Sequence, residues 1–574
     1  MNKLLTTIGL TAALTISALP FNASAAVIDT NTSNASTDVG SVEAHIDTEL
    51  TSLDVDSSKI PDSYSSLEKG YVTPVRNQGV TQSCWAFSGL SALESLMIKN
   101  KDIDNTSSSW LSTAHLDAWG ATRSDGTGWH RTYEKDGGYS WIATGYLISR
   151  SGAVKESVMP FGSDFSLFKP VEPETIDFGV TGIMYLDGSD KDTIKKCIMD
   201  YAAVAASYHS DKSFETNGRT TYYCPNFPTS VNGHSISIIG WDDNFSKEKF
   251  TVKDWVTPTE EDIQQGITEE YQDTFTPKND GAWLCRNTWG DYNDNNGYFW
   301  ISYEDATLFS NKFSPTFCIT DYVKNTGFDH FYQAETFGAI CEFDFLSQKG
   351  YKEITYINTF DFNANPEFLD KVIFETESIG NEYTVYYIPV GDDGKTPTND
   401  TSKWQELASG KVDYSGYINV DTGKFELKQS KAGIGVKMKT ENTKTDPNTV
   451  GVDEWLTNSS RKLIFKPDSK KESSYVYYNG KVQDVMDYYK IEENDDIGGN
   501  LVIKALTTES ALTLLGDADN NGVVNIADAS TIQKYVILDA DLSAVGYANA
   551  DYNQDGRINI KDCTAIQKYL VSLK

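Results

Sequence analysis

Four polar side chains have the types that nucleophilic acyl transfer requires. Cys84 opens an apolar stretch, and a helix start favours a thiolate because its dipole and free N–H groups attract negative charge. The thiol also needs a base, which would be a histidine, and a third group that orients the imidazole ring; His234 and Asn287 are of suitable types. Gln78, six residues before Cys84, could place its side-chain amide beside the Cys84 backbone N–H, where an oxyanion would form. Together they predict a cysteine nucleophile that attacks a carbonyl carbon.

A second set, near the C-terminus, consists of oxygen-bearing residues in two copies that start 34 residues apart. Calcium prefers oxygen ligands, and a twelve-residue loop presents them at positions 1, 3, 5, 7, 9 and 12. The first copy has this pattern at Asp517, Asp519, Asn521, Val523 (backbone carbonyl), Asn525 and Asp528. The second copy has it at Asp551, Asn553, Asp555, Arg557 (backbone carbonyl), Asn559 and Asp562. We expect two Ca²⁺ ions here and no cofactor for the chemistry at Cys84.

The elements that must position these residues change along the chain. Apolar spacing predicts helices over Ser83 to Asn100, Tyr139 to Ser149 and Asp192 to Tyr208, and strands over Ser235 to Gly240 and Gly297 to Tyr303. This mixture predicts an α+β domain over residues 57–321. An acidic stretch at 247–280 is interpreted as a surface loop within it.

After residue 321 the pattern is different. Short alternating segments separated by polar turns predict an all-β sandwich over residues 322–507, and 508–515 form a polar linker. Each calcium loop then runs into an amphipathic helix, and neither has a full helix before it. Residues 516–574 are therefore expected to form a small all-α calcium-binding module. The fold class is multidomain.

The first region resembles the papain family of cysteine peptidases. The resemblance rests on PVRNQGVTQSCWAFS at 74–88, GGYSW at 137–141, HSISIIGW at 234–241 and RNTWGDYNDNNGY at 286–298. It implies a polypeptide substrate, with Cys84 as nucleophile, His234 as base, Asn287 as orienting residue and Gln78 in the oxyanion hole. It also implies that Gly137, Gly138 and Tyr139 bind substrate, the second glycine through the substrate backbone.

Several residues depart from that family's pattern. The family usually bridges two cysteines at the positions of Thr81 and Lys135, and Gln82 and Ser235 stand where smaller residues are usual. The gap from His234 to Asn287 is 53 residues, longer than in papain. Among the other histidines, His209 is the serious rival as base, because it follows an apolar run. The alternative function is a catalytically silent adaptor that binds protein or carbohydrate with the same fold.

The repeated calcium loops resemble a dockerin module. That resemblance implies binding to cohesin modules of a scaffolding protein in a cellulosome-type complex. It assigns the cohesin contacts to loop positions 10 and 11 and helix positions 17 and 18, which are Ile526, Ala527, Gln533, Lys534, Ile560, Lys561, Gln567 and Lys568. The alternative is that calcium only stabilises a terminal cap.

The sandwich region loosely resembles the lectin-like modules that follow papain-type domains in some exported bacterial peptidases. It carries many Tyr and Phe residues and no catalytic pattern. Aromatic residues in strands serve packing as well as binding. Binding of carbohydrate or protein and a purely structural spacer therefore both stay open.

Composition and the N-terminus indicate an exported protein. A basic start, an apolar segment and Ala23-Ser24-Ala25 predict a signal peptide over residues 1–25, followed by a flexible acidic leader over 26–56. The net charge of −33 argues against nucleic acid and anionic membrane surfaces as partners. No later stretch has the roughly 18 apolar residues that a membrane span needs. Seven cysteines are too few for a dense disulfide framework, and the odd number leaves at least one thiol free.

Overall fold

The structure is a computed structural model. It describes residues 50–572 except 122–126, 130–135, 163–175, 177, 266, 311–314, 325–327, 363–366, 454–455, 459–462, 467–469, 488–498, 510–513, 520–522, 538–541 and 543. The expected signal peptide, leader residues 26–49, Lys135 and the calcium-loop residue Asn521 therefore lie outside the described residues.

The described helices are concentrated before residue 202 and after residue 525. They are α1 (Cys84–Lys99), α2 (Thr113–Trp119), α3 (Ser140–Ile148), α4 (Lys191–Tyr201), α5 (Glu260–Gln264), α6 (Phe345–Gln348), α7 (Ile526–Val536), α8 (Ala544–Ala550) and α9 (Ile560–Ser572). Helix α1 is buried over nearly its whole length. Its neighbours on several sides explain why its sequence is apolar all round rather than along one stripe.

The strands of the first region alternate with these helices. They are β1 (Ser63–Ser65), β2 (Gly128–Trp129), β3 (Phe178–Leu186), β4 (Val204–His209), β5 (Glu215–Thr216), β6 (Thr221–Tyr222), β7 (Gly233–Asp242), β8 (Val252–Val256), β9 (Tyr271–Phe275), β10 (Ala282–Arg286), β11 (Tyr298–Ser302) and β12 (Thr316–Lys324).

The strands of the second region follow one another with few helices. They are β13 (His330–Gln333), β14 (Cys341–Glu342), β15 (Glu353–Asp361), β16 (Phe368–Thr376), β17 (Glu382–Pro389), β18 (Gln405–Lys411), β19 (Gly416–Glu426), β20 (Lys431–Lys439), β21 (Gly451–Val452), β22 (Leu456–Asn458), β23 (Leu463–Lys466), β24 (Ser474–Tyr478), β25 (Lys481–Asp484) and β26 (Ile503–Thr508).

The largest sheet runs through both regions. Its strand order is β13-β26-β16-β19-β3-β12-β4-β7-β10-β11-β6-β5, and β1 pairs with β7. The junction is the pairing of β19 with β3, where Gly416 lies opposite Met184 and Tyr417 opposite Ile183. A second sheet, β18-β17-β20-β15-β24-β25, faces the β13-to-β19 part of the first. Side chains from both sheets, such as Val372 and Val436, fill one core between them, so the second region is the expected sandwich.

The structure differs from the sequence predictions at three elements. The helix predicted over Asp192 to Tyr208 ends at Tyr201, because Ala202 adopts a left-handed conformation (φ 72°) and the chain continues as β4. The stretch at 247–280, expected as a surface loop, contains the antiparallel hairpin of β8 and β9. A seven-residue helix, α8, precedes the second calcium loop.

Within the described part of the chain, no helix combines the length and the apolar character needed to cross a bilayer. All seven cysteines lie among the described residues, where each is buried and none forms a disulfide. The C-terminal module has its own small core, in which Ile532 of α7 and Ile566 of α9 are fully buried.

Candidate active site and calcium loops

Cys84 is the first residue of helix α1. Its side chain is 8% exposed, and the first N–H groups of a helix have no partner within the helix. Ser83, directly before it, donates its hydroxyl hydrogen bond to the buried carboxylate of Asp117 in α2. This contact fixes the start of α1 and hence the position of the Cys84 thiol. Sequence reasoning missed Asp117, which lies outside every motif.

His234 and Asn287 meet although 53 residues separate them. His234 is the second residue of β7, Asn287 follows β10, and these strands are antiparallel neighbours. The distance between His234 Nε2 and Asn287 Oδ1 is 2.8 Å. Trp289 stacks on the imidazole ring with centroids 4.3 Å apart, so it shields one face of the ring from water. The geometry matches the orienting role expected of Asn287.

The tautomer of His234 follows from the hydrogen bonds around Asn287. The Thr288 backbone N–H donates to Asn287 Oδ1 at 2.7 Å, so that atom is an acceptor. His234 Nε2 must therefore carry the hydrogen in its bond to the same oxygen. Nδ1 of a neutral ring then has a free lone pair, which is the group that can accept a thiol proton.

Gln78 is held at both ends of its amide. Its Oε1 accepts from the Thr288 hydroxyl, and its Nε2 donates to the Thr81 carbonyl at 2.7 Å. The Gln78 backbone N–H also donates to the Thr288 carbonyl at 2.7 Å. One N–H of Nε2 is left for another acceptor, as an oxyanion donor requires. Thr288 lies inside a recognised motif, but nothing in the sequence assigned it a role.

Burial shifts both groups of the proposed pair toward their neutral forms. It raises the pKa of the Cys84 thiol, against a smaller lowering by hydrogen bonds from Ser235. It lowers the pKa of His234 to about 4, and the hydrogen bond with Asn287 opposes this shift. Proton transfer from Cys84 to His234 would create opposite charges whose attraction offsets the cost of burying each one.

Ser235 and His209, which the sequence marked as a departure and as a rival base, have structural partners. Ser235 follows His234, and its hydroxyl lies 3.0 Å from that of Ser207 as well as bonding Cys84. His209 lies at the end of β4, where its Nδ1 accepts from the Asn232 backbone N–H at 2.9 Å. That nitrogen of His209 is therefore engaged, whereas Nδ1 of His234 is the one left to act as base.

Gly137, Gly138 and Tyr139 lie directly before helix α3, for which Tyr139 is the N-cap. A Cβ atom at Gly138 would stand 2.3 Å from the ring of Trp85, the residue after Cys84. Only glycine fits there, which keeps the backbone of this segment against the start of α1. The Tyr139 side chain is 3% exposed and packs in the core, so it is not open to a substrate in this structure.

The two calcium loops share one backbone arrangement. In the first, Asp528 accepts from the N–H groups of Asp519 (3.1 Å) and Asn525 (2.7 Å). In the second, Asp562 accepts from Asn553 and Asn559 at 3.1 and 2.8 Å.

The carboxylates of the first loop also converge. Asp517, Asp519 and Asp528 have oxygen atoms within 4.8 Å of one another, so this donor set fits a hard cation. In the second loop Asp551 accepts from Asp555 and Gly556, and Gly556 takes the positive φ of 79° that the sharp turn at position 6 requires. Val523 and Arg557 lie at the carbonyl positions, where Asn525 and Asn559 amides donate to them at 3.0 Å.

The residues expected to contact cohesin share one property, which is exposure to solvent. They are Ile526, Ala527, Gln533, Lys534, Ile560, Lys561, Gln567 and Lys568. Ile526 and Ile560 are 60% and 55% exposed, although isoleucine is usually buried. Between them on each helix lie residues of the module's core, such as Ile532 and Ile566, so the isoleucine and lysine side chains of the contact set point outward.

A further carboxylate cluster lies in the sandwich region and was not foreseen. Glu342, Glu375 and Glu377 have oxygen atoms within 4.8 Å of one another, and Glu375 is fully buried. Burial, together with repulsion from Glu377, raises the pKa of Glu375 to about 8. Burial and repulsion from Glu375 raise the pKa of Glu342 well above its ordinary value. Such groups either keep a proton at neutral pH or hold a cation.

Three protein families match successive parts of the chain. They are the papain family cysteine proteases over residues 60–314, the lectin-like domain over 331–507 and the type I dockerin domain over 515–571. Mouse cathepsin K is 25% identical over 242 residues, which are 42% of this chain and 59% of the cathepsin. Bovine cathepsin S is 27% identical over 205 residues, which are 34% of this chain and 56% of the cathepsin. The chain thus spans less than two thirds of the length of these curated relatives.

Two solved structures of one clostridial protein resemble the chain over most of its length. A cysteine-to-alanine variant of the cysteine protease Cwp84, after propeptide cleavage, is 30% identical, has a TM-score of 0.64, and covers 78% of this chain and 99% of its own. The second structure contains the cysteine protease and lectin-like domains of Cwp84, a surface-layer-associated protein of Clostridium difficile. It is 29% identical, has a TM-score of 0.65, and covers 81% of this chain and 91% of its own. The chain therefore belongs to the papain family of cysteine proteases, and it carries a lectin-like domain and a type I dockerin domain after the protease domain.

Proposed function

We propose that this chain is a secreted cysteine endopeptidase with a Cys-His-Asn mechanism. One observation supports it above the others. The 2.8 Å contact between His234 Nε2 and Asn287 Oδ1, with the ring of Trp289 stacked on the imidazole, leaves Nδ1 of His234 able to accept a proton. In this proposal that proton comes from the Cys84 thiol at the start of α1.

The reaction would proceed in two stages. Cys84 Sγ attacks the peptide carbonyl carbon while its proton passes to His234 Nδ1. Gln78 Nε2 and the Cys84 backbone N–H donate to the resulting oxyanion. The C–N bond then breaks, the amine leaves with the proton from His234, and a thioester remains on Cys84. Water, deprotonated by His234, hydrolyses that thioester and restores the thiol.

Hydrolysis of casein in the presence of reductant and calcium tests this proposal. We expect activity in the wild type and none above background in Cys84→Ala. Cys197→Ala is the matched control, because Cys197 is a buried thiol in α4 outside the site. Equal activity in wild type and Cys84→Ala would contradict the proposal.

If neither protein cleaves casein, alkylation of Cys84 by iodoacetamide separates latency from the adaptor alternative. An activated thiol next to His234 reacts faster than an ordinary buried thiol, and the rate falls in His234→Ala. A slow rate that His234→Ala leaves unchanged would favour the adaptor.

We also propose that the dockerin domain attaches the chain, through two Ca²⁺ ions, to cohesin modules of an extracellular cellulosome-type complex. The paired loops, the convergent carboxylates of the first loop, and the exposed residues on α7 and α9 support this. Cwp84, a surface-layer-associated protein, is a relative with an extracellular location, which agrees with this proposal. Residues 1–25 would direct export, so the N-terminus of the exported protein should begin near Ala26.

Calorimetry with purified cohesin modules of the host tests the attachment. We expect binding in calcium, none in chelator, and none for the double variant Ile526→Asp/Ile560→Asp. The control Ser530→Ala changes an exposed residue of the same helix outside the proposed contact set. Calcium-independent binding, or no binding to any cohesin of the host, would refute the proposal.

For the lectin-like domain we propose carbohydrate binding on the outer face of its second sheet. Trp404 contacts Tyr477 and Tyr386 there, with ring centroids 4.8 and 5.7 Å apart, and all three rings are partly exposed. Aromatic faces of this kind stack on sugar rings. Titration with polysaccharide should quench tryptophan fluorescence in the wild type and in Trp255→Ala, a control at an exposed tryptophan of β8, but not in Trp404→Ala. No quenching in any form would favour the spacer interpretation.

A further inference from the structure

The lectin-like domain reaches behind the segment proposed to bind substrate. Its strand β23 pairs with the short strand β2 of the protease domain, so that Phe465 lies opposite Trp129 and Lys466 opposite Gly128. Strand β2 lies only eight residues before Gly137 in the chain. The strand that precedes this segment in the chain therefore has its hydrogen-bonding partner in the other domain.

A series of buried aromatic rings continues this contact toward the cleft. The centroid of Phe465 is 4.9 Å from that of Trp129, which is 6.4 Å from that of Trp141. Trp141 stacks on Tyr139 at 4.7 Å with an interplanar angle of 17°. All four rings are at least 96% buried. Tyr139 directly follows Gly138, so the series ends at the segment itself.

A second contact from the lectin-like side supports the same helix. The ring of Phe337 packs on Phe465 at 5.1 Å and on Trp119 of α2 at 5.3 Å. The carbonyl oxygen of Phe337 lies against α3 so closely that a Cβ at Gly145 would stand 2.0 Å from it. Helix α3 begins at Ser140, so its start and its middle both depend on residues from beyond the protease domain.

The position of the Gly138 backbone depends on these contacts because glycine has no side chain of its own to fix it. On one side it meets the ring of Trp85. On the other side its neighbour Tyr139 is held by the aromatic series. Close-packed interiors transmit a displacement from one side chain to the next, so a gap at the far end of the series would be felt at Gly138.

We propose that Phe465 is a positioning residue for the substrate-binding segment Gly137–Tyr139, acting through Trp129 and Trp141. The lectin-like domain thereby completes the cleft of the protease domain in addition to any ligand it binds. This inference rests on the proposed function, in which the Gly138 backbone pairs with the substrate backbone.

The test compares Phe465→Leu and Phe465→Ala with Phe374→Leu and Phe374→Ala. Phe374 is a fully buried ring of the sandwich core, which contains no residue of the protease domain. For a peptide substrate we expect the Phe465 variants to raise KM about tenfold while kcat changes less than about twofold. The rate of Cys84 alkylation by iodoacetamide, which needs no substrate segment, should stay that of the wild type.

Amide hydrogen exchange supplies a readout that is independent of catalysis. Exchange over residues 137–142 should accelerate in the Phe465 variants and not in the Phe374 variants, while that of α1 stays unchanged. Suppose that exchange accelerates in the Phe465 variants while the wild type shows neither peptidase activity nor alkylation of Cys84 that depends on His234. The positioning role would then stand and the proposed function would be refuted. If the wild type is active but the Phe465 variants change neither KM nor the exchange rate of residues 137–142, the positioning role is wrong. It is also wrong if the Phe374 variants change both quantities as much as the Phe465 variants do.

Discussion

Thr288 contacts both the amide that orients His234 and the amide proposed to hold the oxyanion. Its backbone N–H donates to Asn287 Oδ1, its hydroxyl donates to Gln78 Oε1, and its carbonyl accepts from the Gln78 N–H. Because the residue is 5% exposed, none of these bonds competes strongly with water. Thr288, to which no chemical role is proposed, thus fixes the side chains of two residues for which one is proposed.

Thr288→Val should lower kcat more than it raises KM. The substitution keeps the backbone bonds and the side-chain volume but removes the donor to Gln78, so Gln78 loses its fixed orientation. We expect a loss of about tenfold in kcat, smaller than the loss of about 10²-fold expected for Gln78→Ala. Steady-state kinetics would show this, and Thr288→Ser, which keeps the hydroxyl, should retain near wild-type kcat. A Thr288→Ser variant as slow as Thr288→Val would contradict it.

The pKa of His234 predicts the acid limb of activity. The base must be neutral, so activity falls as the pH drops through the pKa of His234, which burial lowers to about 4. Since the hydrogen bond with Asn287 raises that pKa, Asn287→Ala should move the limb to lower pH as well as reducing the rate. The profile of kcat/KM against pH measures both. An acid limb near the ordinary histidine pKa of about 6.5 would contradict the lowering of the His234 pKa by burial, and a limb that Asn287→Ala leaves in place would exclude His234 as the titrating base.

The sequence predicted candidates for the reacting groups, and the structure brings two of them, His234 and Asn287, into contact, but the residues that support the candidates were not predicted. Cys84, His234, Asn287 and Gln78 stand in short motifs whose residue types follow from the chemistry. Asp117 lies in no such motif. The role of a carboxylate in an apolar helix depends on the element that packs against the helix, and the local sequence does not show which element that is. The contact of Asp117 with Ser83 spans 34 residues and depends on how α2 crosses the start of α1.

At the scale of elements, the end of α4 shows why one prediction was wrong. Residues 202–206 form a continuous apolar run, and such a run fits a buried strand as well as a helix. The strand forms because β7 and β12 offer hydrogen-bonding partners on both sides of β4. Helix α1, which begins at Cys84, and strand β7, which contains His234, were predicted well. Their periodicity and length favour one type of element over the other.

Ala202 and Ala203 should respond differently to replacement by glycine. Both are buried, but only Ala202 has a positive φ, which costs a non-glycine residue about 1–2 kcal/mol. Ala202→Gly relieves that cost while losing a buried methyl group, so its free energy of unfolding should stay close to that of the wild type. Ala203→Gly should be less stable than Ala202→Gly by about 1 kcal/mol. Urea unfolding of the two variants checks the order, and the reverse order would exclude the left-handed cap.

At the scale of the whole molecule, the protease and lectin-like domains share one sheet. Composition and turn spacing predicted two folds in succession, and both are present. The pairing of β19 with β3 and of β23 with β2 could not be predicted. The residues of an edge strand do not indicate which strand of another domain will pair with it. The boundary near residue 321 is thus a change of strand pattern rather than a break in packing.

Truncation should distinguish the boundary between the protease and lectin-like domains, near residue 321, from the boundary before the dockerin domain, near residue 509. A chain ending at residue 321 leaves the β3 edge and the ring of Trp129 uncovered, so we expect it to be insoluble or unfolded. A chain ending at residue 509 keeps the shared sheet and should retain wild-type kcat/KM while losing cohesin binding. Soluble yield, kinetics and a cohesin pull-down measure these outcomes. A soluble, fully active chain ending at residue 321 would show that the lectin-like domain is dispensable.

The position of β26 has a mechanical consequence. This last strand of the lectin-like domain leads to the dockerin domain, and it lies between β13 and β16 with hydrogen bonds to both. When the dockerin domain is tethered and the body is pulled by flow or by a large substrate, the tension enters the chain at Thr508 and is resisted in shear by two ladders at once. The elements that hold Cys84, His234 and Asn287 lie on the far side of the β19–β3 junction, so the strand that takes up the tension first is not one that positions these residues. The fold therefore separates the load-bearing part of the sheet from the part that carries the cleft.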